Sequence, residues 1–194
     1  MARVQTIGLA HLPAHPVHVA LFDHVTNAAA LRQHLLSGNP EFEYAFLDAT
    51  TILSTSHLLA AVFRALNDLL NARLKSRNVH SEIVFSLSPN NNIAESFRRF
   101  GIQDATTTLL AIKVSTPSSP VTAEAVQAHL STAIEGTPLE LTDAELARFT
   151  DLARIRKIYK LDSAKPMDGT ADEPVDERKD MEAVVLGTMA LKGS

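Results

Sequence analysis

Residues 82–102 (E-I-V-F-S-L-S-P-N-N-N-I-A-E-S-F-R-R-F-G-I) carry the strongest local signals in this chain. Ile83, Phe85 and Leu87 occupy alternate positions, which is the two-residue period of a half-buried strand. Pro89 cannot continue a central strand, and the asparagines that follow it tolerate turn geometries. The first half of the stretch therefore predicts a strand that ends in a polar turn.

A short helix is predicted to follow this turn. Asn92 is the expected N-cap because its side-chain oxygen can accept a first-turn N–H, and Glu95 completes the spacing of a capping box. Gly101 is expected just past the helix, where it is free to take a positive φ. Two interpretations of the three asparagines stay open: a well-capped connection, or a loop that presents a helix N-terminus to an anion.

The rest of the chain alternates between short strands and helices. Further strands are predicted at residues 17–22, 108–115 and 183–192, and residues 42–47 fit either a strand or a helix, with the strand favoured. Helices are predicted at 27–36, 54–75, 122–134 and 142–158, the last with a break near residue 150. The expected N-caps of these helices are Thr26, one of the residues from Ser54 to Ser56, Thr122, Thr142 and Asp151.

Strands and helices do not alternate as regularly as in a doubly wound fold. The pattern predicts an α+β fold, with a small, partly antiparallel sheet of about four strands surrounded by helices. One domain covering 1–194 is expected, because this length suits a single core. Residues 162–182 are acidic, polar and contain two prolines, so we expect a flexible loop there.

Composition excludes several classes of protein. No residue is cysteine, which removes disulfide scaffolds, thiolate nucleophiles and cysteine-ligated zinc. The N-terminus lacks a basic segment followed by a long apolar run, so no signal peptide is expected. No apolar run approaches the ~18 residues of a membrane span.

Charge is unevenly distributed along the chain. Residues 162–182 hold eight acids and three bases, so the rest of a chain of net charge −4 sums to +1. Bases outnumber acids six to three over 64–101 and five to one over 148–160. Such local basic segments are compatible with nucleic-acid binding, and equally with solvated helix faces.

Catalytic and metal-binding motifs are not found. His11, His15 and His18 lie close together, but intervening prolines prevent a regular helix and no carboxylate lies among them, so no metal site is predicted. Asp48 and Asp104 have no evident partner in the sequence. No serine is singled out by a neighbouring base and acid. This pattern favours a binding or regulatory protein, and it predicts no cofactor.

The motif at 87–102, together with K-I-Y-K-L at 157–161, is similar to the PRPK-binding protein (TPRKB) family. These proteins are the small kinase-binding subunits of the EKC/KEOPS complex, and the chain resembles their fungal members. The resemblance extends along nearly the whole chain, through the early H-V-A-L-F strand, N-A-A-A-L-R, the long leucine-rich helix and the apolar C-terminal segment.

The resemblance implies a non-catalytic subunit that binds and allosterically regulates the small atypical kinase of the complex. It also implies help in holding the tRNA 3′ CCA end, while another subunit installs threonylcarbamoyladenosine next to the anticodon. Fungal complexes are further linked to telomere maintenance and transcription. The expected location is therefore the nucleus, including chromosomes and telomeres, and also the cytoplasm.

The sequence also predicts which residues contact the partners. An apolar helix face left free by the sheet would suit the kinase, with Leu58 and Phe63 as candidates. One basic rim is predicted for tRNA if the long helix ends near the asparagine loop. Its predicted members are Lys75, Arg77, Asn90, Asn91, Asn92, Arg98 and Arg99.

The alternative function is a small enzyme with an unrecognised active site. His57, His80 and a carboxylate around a deep pocket would favour that alternative. A shallow basic groove beside an exposed apolar patch would favour the regulatory subunit.

Overall fold

The computed structural model describes residues 1–161 and 177–192. Within these ranges the five strands are β1 Val4–Ile7, β2 Val17–Asp23, β3 Ala45–Asp48, β4 Leu109–Val114 and β5 Thr137–Leu139. The eight helices are α1 Ala28–Leu36, α2 Thr55–Leu70, α3 Val79–Leu87, α4 Ile93–Phe100, α5 Ala123–Ala133, α6 Asp143–Phe149, α7 Leu152–Tyr159 and α8 Glu177–Leu191. Two 3₁₀ turns, Pro40–Phe42 and Ala49–Thr51, flank β3. No helix in the described ranges is long and apolar enough to cross a membrane.

All of these strands belong to one antiparallel sheet. The order is β1-β2-β4-β3, and β5 pairs with β2 beyond the end of β1. Val19 on β2 lies opposite Ile112 on β4, and Leu110 lies opposite Leu47 on β3. The predicted α+β class is confirmed, with five strands and antiparallel pairing throughout.

Helices cover both faces of the sheet. Side chains alternate along a strand, so Val19 and Leu21 face α2, α3 and α6–α8, whereas Ala20 and Phe22 face α1 and α5. Because both faces are covered, β2 is buried from Val17 to Phe22. The sheet is thus the middle layer of three.

Most predicted helix starts are confirmed. The side chains of Ser54, Thr122, Thr142 and Asp151 each accept a first-turn N–H of α2, α5, α6 and α7 respectively. The predicted cap of α1 is wrong: Asn27 holds the N-cap position, and the Thr26 hydroxyl instead donates to Glu135 at 3.0 Å.

Residues 83–87 are helical, so the prediction of a strand there is wrong. Asn78 caps α3 by accepting the Ser81 N–H at 2.9 Å. The helix lies between α2, α4 and the sheet, and all of it except Ser81 is buried. The buried carboxylate of Glu82 is stabilised by hydrogen bonds that it accepts from the Lys75 and Ser76 N–H groups. A helix that is buried on every side has no polar face, so the spacing of its apolar residues does not show the helical period from which a helix is predicted.

The C-terminal segment is also helical, and its prediction as a strand is wrong. Met181, Val185 and Met189 recur at four-residue spacing on one face of α8 and pack against α2 and α7. Of the predicted acidic loop, 162–176 lies outside the described residues, whereas 177–182 forms the first turns of α8.

Two further boundaries differ from the predictions. Helix α2 ends at Leu70 instead of residue 75, so the basic residues after it lie in a connection. Gly101 has φ −72° rather than a positive φ, yet a Cβ there would lie 2.7 Å from the Phe97 carbonyl oxygen. Glycine is needed there for close approach, not for a left-handed conformation. Strands β1 and β5 were not predicted from the sequence.

Candidate functional site

A cavity of about 580 Å³ opens between α1, the 3₁₀ turn before β3, the N-terminal half of α3, and α4. We call it the arginine cleft. Its lining includes Arg32, Phe42, Glu43, Arg77, His80, Phe97 and Arg98. A cavity of this volume lies within the usual range for a small-molecule or nucleotide site.

Three arginines supply the positive charge of the cleft. Arg32 is 3.1 Å from the exposed carboxylate of Asp104, and Arg98 pairs with Glu95. Arg77 lies over the end of α1, where Gly38 has φ +70° and a Cβ would lie 2.8 Å from the guanidinium. Exposed ion pairs of this kind contribute at most about 1 kcal/mol, so an anionic ligand can compete for the arginines.

Aromatic side chains form part of the wall. Phe42 stacks on His34 with ring centroids 4.0 Å apart, and Phe97 is half-buried. Tyr44 is more deeply placed: burial raises its pKa to about 12, and its hydroxyl bonds to His129 Nδ1 at 3.0 Å. Phe42 and Phe97 therefore leave apolar surface in the cleft on which a planar group can rest.

A carboxylate and a buried histidine give the cleft its polar component. His80 Nε2 accepts the Val114 N–H at 3.0 Å, so the ring proton is on Nδ1, 3.3 Å from Glu43 Oε1. Burial lowers the pKa of His80, whose ring is therefore neutral. The hydrogen bond from His80 lowers the pKa of Glu43, which is therefore ionised.

The residues predicted to form one basic rim for tRNA do not all line the same cavity. Of the seven predicted tRNA-binding residues, Arg77 and Arg98 line the arginine cleft. Lys75 lies in a different groove, between α2 and α8. Arg99 is 2.5 Å from Glu95, and its carbonyl accepts a bond from Arg154. The early end of α2 and the helical conformation of α3 cause this separation.

The asparagine loop is held mainly by its own hydrogen bonds. Asn90 accepts the Ser88 hydroxyl and the Asn92 N–H, and Asn92 accepts the Glu95 N–H at 3.0 Å. Because the Asn92 N–H is already bonded, Glu95 does not complete the capping box and pairs with arginines instead. The geometry favours the well-capped connection, and Asn91 is exposed at its tip.

A second concavity of about 550 Å³ runs between α2 and α8. We call it the α2–α8 groove. Its lining includes Ala60, Phe63, Arg64, Leu186, Met189 and Lys192. Phe63 is 49% exposed there, as predicted for a docking residue, whereas Leu58 is fully buried in the core. The prediction that Leu58 reaches a partner is therefore wrong, because no surface of its side chain is accessible.

Charged side chains hold the C-terminal end of α8 against α2 and α3 in this groove. The Arg64 guanidinium donates to the carbonyls of Met189 and Lys192, which satisfies acceptors that a helix C-terminus leaves open. Lys192 Nζ in turn donates to the Phe85 carbonyl and lies 3.4 Å from the centre of that ring. Burial lowers the pKa of Lys192 to about 7.

His57 and His80 do not lie around one pocket. His57 is fully buried away from the cleft, bonded to the Leu53 N–H and the Tyr159 hydroxyl. His80 lines the cleft beside Ser81. The unprotonated ring nitrogen of His80, Nε2, already accepts the Val114 N–H, so His80 cannot act as a general base toward the Ser81 hydroxyl. Within 1–161 and 177–192, no three His, Asp or Glu side chains are grouped to hold a metal.

Several residues of the cleft were not predicted from the sequence. Arg32, Phe42 and Glu43 reach the same cavity from α1 and from the turn before β3. They share no spacing with Arg77 or Arg98, so only the fold brings them together. Asp48 and Asp104, which had no evident partner, pair with Arg154 and Arg32 respectively.

Comparison with known proteins gives concordant matches along nearly the full chain. The family model described as kinase binding protein CGI-121 matches residues 22–193. The EKC/KEOPS complex subunit cgi121 of Aspergillus terreus is 56% identical, over 98% of this chain and 97% of the relative. The Aspergillus fumigatus subunit is 54% identical over the same shares of the two chains, and that of Schizosaccharomyces pombe is 34% identical over 93% and 95%.

Proposed function

The chain belongs to the CGI-121 family of kinase-binding proteins, and on this premise we propose that it is a non-catalytic subunit of an EKC/KEOPS complex. In this proposal it binds the small atypical kinase of the complex and regulates it allosterically. The observation that carries the proposal is an exposed aromatic side chain, Phe63, in a groove between two packed helices.

The α2–α8 groove is the proposed kinase-docking surface. Exposed aromatics seated in a concave, partly apolar surface are typical anchors of protein interfaces. The charged side chains of Asp68, Arg73 and Lys75 at its margin are suited to the polar rim of such an interface. The Arg64 bonds keep α8 in place, so the groove is pre-organised for docking.

Co-elution with the kinase tests this proposal. We expect the wild-type protein and the small EKC/KEOPS kinase of the same organism to co-elute in size-exclusion chromatography at about 20 µM. Phe63→Asp is expected to weaken the complex by about tenfold or more, because a charge would be placed in an apolar contact. Ile93→Asp is the matched control, since Ile93 is 38% exposed and lies outside both concavities.

A readout of kinase activity separates binding from regulation. ATP turnover by the kinase is expected to change with saturating wild-type protein and to return to its basal value with Phe63→Asp. Separate elution of the two folded wild-type proteins would contradict the proposal. Co-elution with no effect on turnover would limit the function to binding.

We further propose that the arginine cleft helps bind the tRNA 3′ CCA end. Single-stranded ends are gripped by stacking on aromatics together with contacts to phosphates. Phe42 and Phe97 offer the stacking surface, and Arg77 and Arg98 offer the cations. The test is fluorescence anisotropy with tRNA that has or lacks its CCA end. Equal affinity for the two tRNAs would contradict this proposal.

Membership of such a complex also leads us to propose a nuclear location and a contribution to tRNA threonylcarbamoylation, with links to telomere maintenance and transcription. Replacing the chromosomal gene with the Phe63→Asp allele tests these roles. We expect reduced threonylcarbamoyladenosine in tRNA hydrolysates and unchanged levels with Ile93→Asp. Imaging of the tagged protein tests the location.

A further inference from the structure

The arginine cleft contains an ionised carboxylate, that of Glu43, whose hydrogen-bonding capacity the fold does not fully use. Glu43 retains 44% exposure of its side chain, and in the described ranges its carboxylate has one close side-chain contact, with His80; the more distant charges of Lys113 and Arg77 also lower its pKa. That contact is 3.3 Å long, and His80 Nδ1 is otherwise a buried donor without a hydrogen-bond partner. A carboxylate held this loosely, in a cavity with three arginines, keeps lone pairs available for a ligand.

We propose that Glu43 makes the arginine cleft select nucleobases with an exocyclic amino group over uracil. The proposal rests on the RNA-binding function proposed for this cleft and adds a specificity-determining residue to it. An ionised carboxylate only accepts hydrogen bonds, and the amino groups of adenine, cytosine and guanine donate them. Uracil has no amino group, and its one N–H lies between two carbonyl oxygens that a carboxylate repels.

The arrangement of the cleft assigns the base, and not the phosphate, to Glu43. Phosphate and carboxylate repel each other, so the backbone belongs with Arg77 and Arg98. Phe42 and Phe97 supply apolar surface that suits the flat face of a base. Because His80 is 4% exposed and neutral, it orients Glu43 without offering a competing positive charge.

Two sources of such a base are distinguishable: the end of an RNA strand and a free nucleotide. We would measure anisotropy with labelled single-stranded RNAs that differ only in a terminal A or U. Displacement of the A-ended RNA by AMP or by UMP forms the second arm. We expect the wild-type protein to prefer terminal A, and AMP, by about tenfold.

Two isosteric variants make the test specific. Glu43→Gln keeps the shape and can accept from His80, but its amide also donates, so discrimination should fall to about twofold or less. Glu41→Gln removes the same charge two residues away, where the side chain is exposed and outside the cleft, and should leave discrimination unchanged.

The outcomes separate this inference from the proposed function. Tight RNA binding with equal affinity for A and U ends, or undiminished discrimination in Glu43→Gln, would overturn the role of Glu43 and leave RNA binding standing. Binding of AMP over UMP without binding of either RNA would support the base selection and overturn the RNA function. Binding of no nucleotide or RNA would overturn both.

Discussion

At the scale of single residues, the buried polar side chains report most directly on how this fold is held together. His57 accepts the Leu53 N–H on Nδ1, so its Nε2–H donates to the Tyr159 oxygen, and Tyr159 donates to the Leu87 carbonyl. These hydrogen bonds join α2, α3 and α7 across the core. Because Nδ1 of His57 accepts a hydrogen bond, it cannot also carry a proton, and the ring is neutral. Burial accordingly lowers the pKa of His57 to about 3.

This geometry predicts a loss of stability in mild acid. The unfolded chain binds a proton on His57 below its ordinary pKa of about 6.5, whereas the folded chain excludes it until the pH nears 3. The stabilisation is therefore present above pH 6.5 and lost as the pH falls. By linkage, protonation of His57 in the unfolded chain should make the free energy of unfolding about 2 kcal/mol lower at pH 5 than at pH 7.5.

Urea unfolding at pH 7.5, 6 and 5 measures this slope. His57→Gln should be less stable at pH 7.5 because the hydrogen bonds of His57 are broken, but its stability should fall less steeply with acid. His24→Gln is the control, since it makes the same substitution at a side chain that is 81% exposed. Equal slopes for wild type and His57→Gln would show that this histidine does not stay neutral in the fold.

At the scale of elements, local chemistry identified where helices begin but not always what a segment becomes. Caps at Ser54, Thr122, Thr142 and Asp151 were predictable because each depends on one side chain and the next turn. Helices α3 and α8 were predicted as strands because short apolar runs do not distinguish the two structures. Only tertiary packing decides, through the buried surroundings of α3 and the four-residue face of α8.

The helical state of the C-terminus gives a prediction about Gly187. This residue is inside α8, and a Cβ there would meet no atom within 4 Å. Gly187→Ala should therefore raise the free energy of unfolding by about 0.5–1 kcal/mol, because alanine loses less backbone entropy in a helix. Gly101→Ala is the contrasting control and should destabilise, since its Cβ would lie 2.7 Å from the Phe97 carbonyl oxygen. Thermal unfolding followed by circular dichroism measures both, and a loss at Gly187 would contradict the helix.

At the scale of the whole molecule, the two candidate sites lie on different parts of the three-layer fold and share no lining residue. Phe63 is exposed as a docking candidate must be, whereas Leu58, the candidate chosen with it from the sequence, is buried. The arginine cleft was not predictable from the sequence, because its lining residues are up to 71 positions apart, from Arg32 to Gln103, and converge only in the folded chain. The position of the arginine cleft depends on how distant segments pack together, which the local sequence pattern does not show.

Separate surfaces predict separable losses of function. Arg77→Ala combined with Arg98→Ala should weaken tRNA binding and leave kinase co-elution intact, whereas Phe63→Asp should do the reverse. For a single strand, removing the cation that neutralises one phosphate should lower the slope of log affinity against log salt by about 0.7. Anisotropy between about 50 and 200 mM salt measures this slope.

Arg99→Ala is the matched control for the arginine pair, because Arg99 is on the same helix but lies outside the cleft. It removes the same charge as one of the two substitutions and should leave the salt slope unchanged. If Arg99→Ala weakens tRNA binding as much as Arg98→Ala, the basic charge of α4 matters as a whole and the cleft does not. If Phe63→Asp also weakens tRNA binding in the isolated protein, the two surfaces are coupled through the core between them, and kinase docking would then depend on the state of the RNA site.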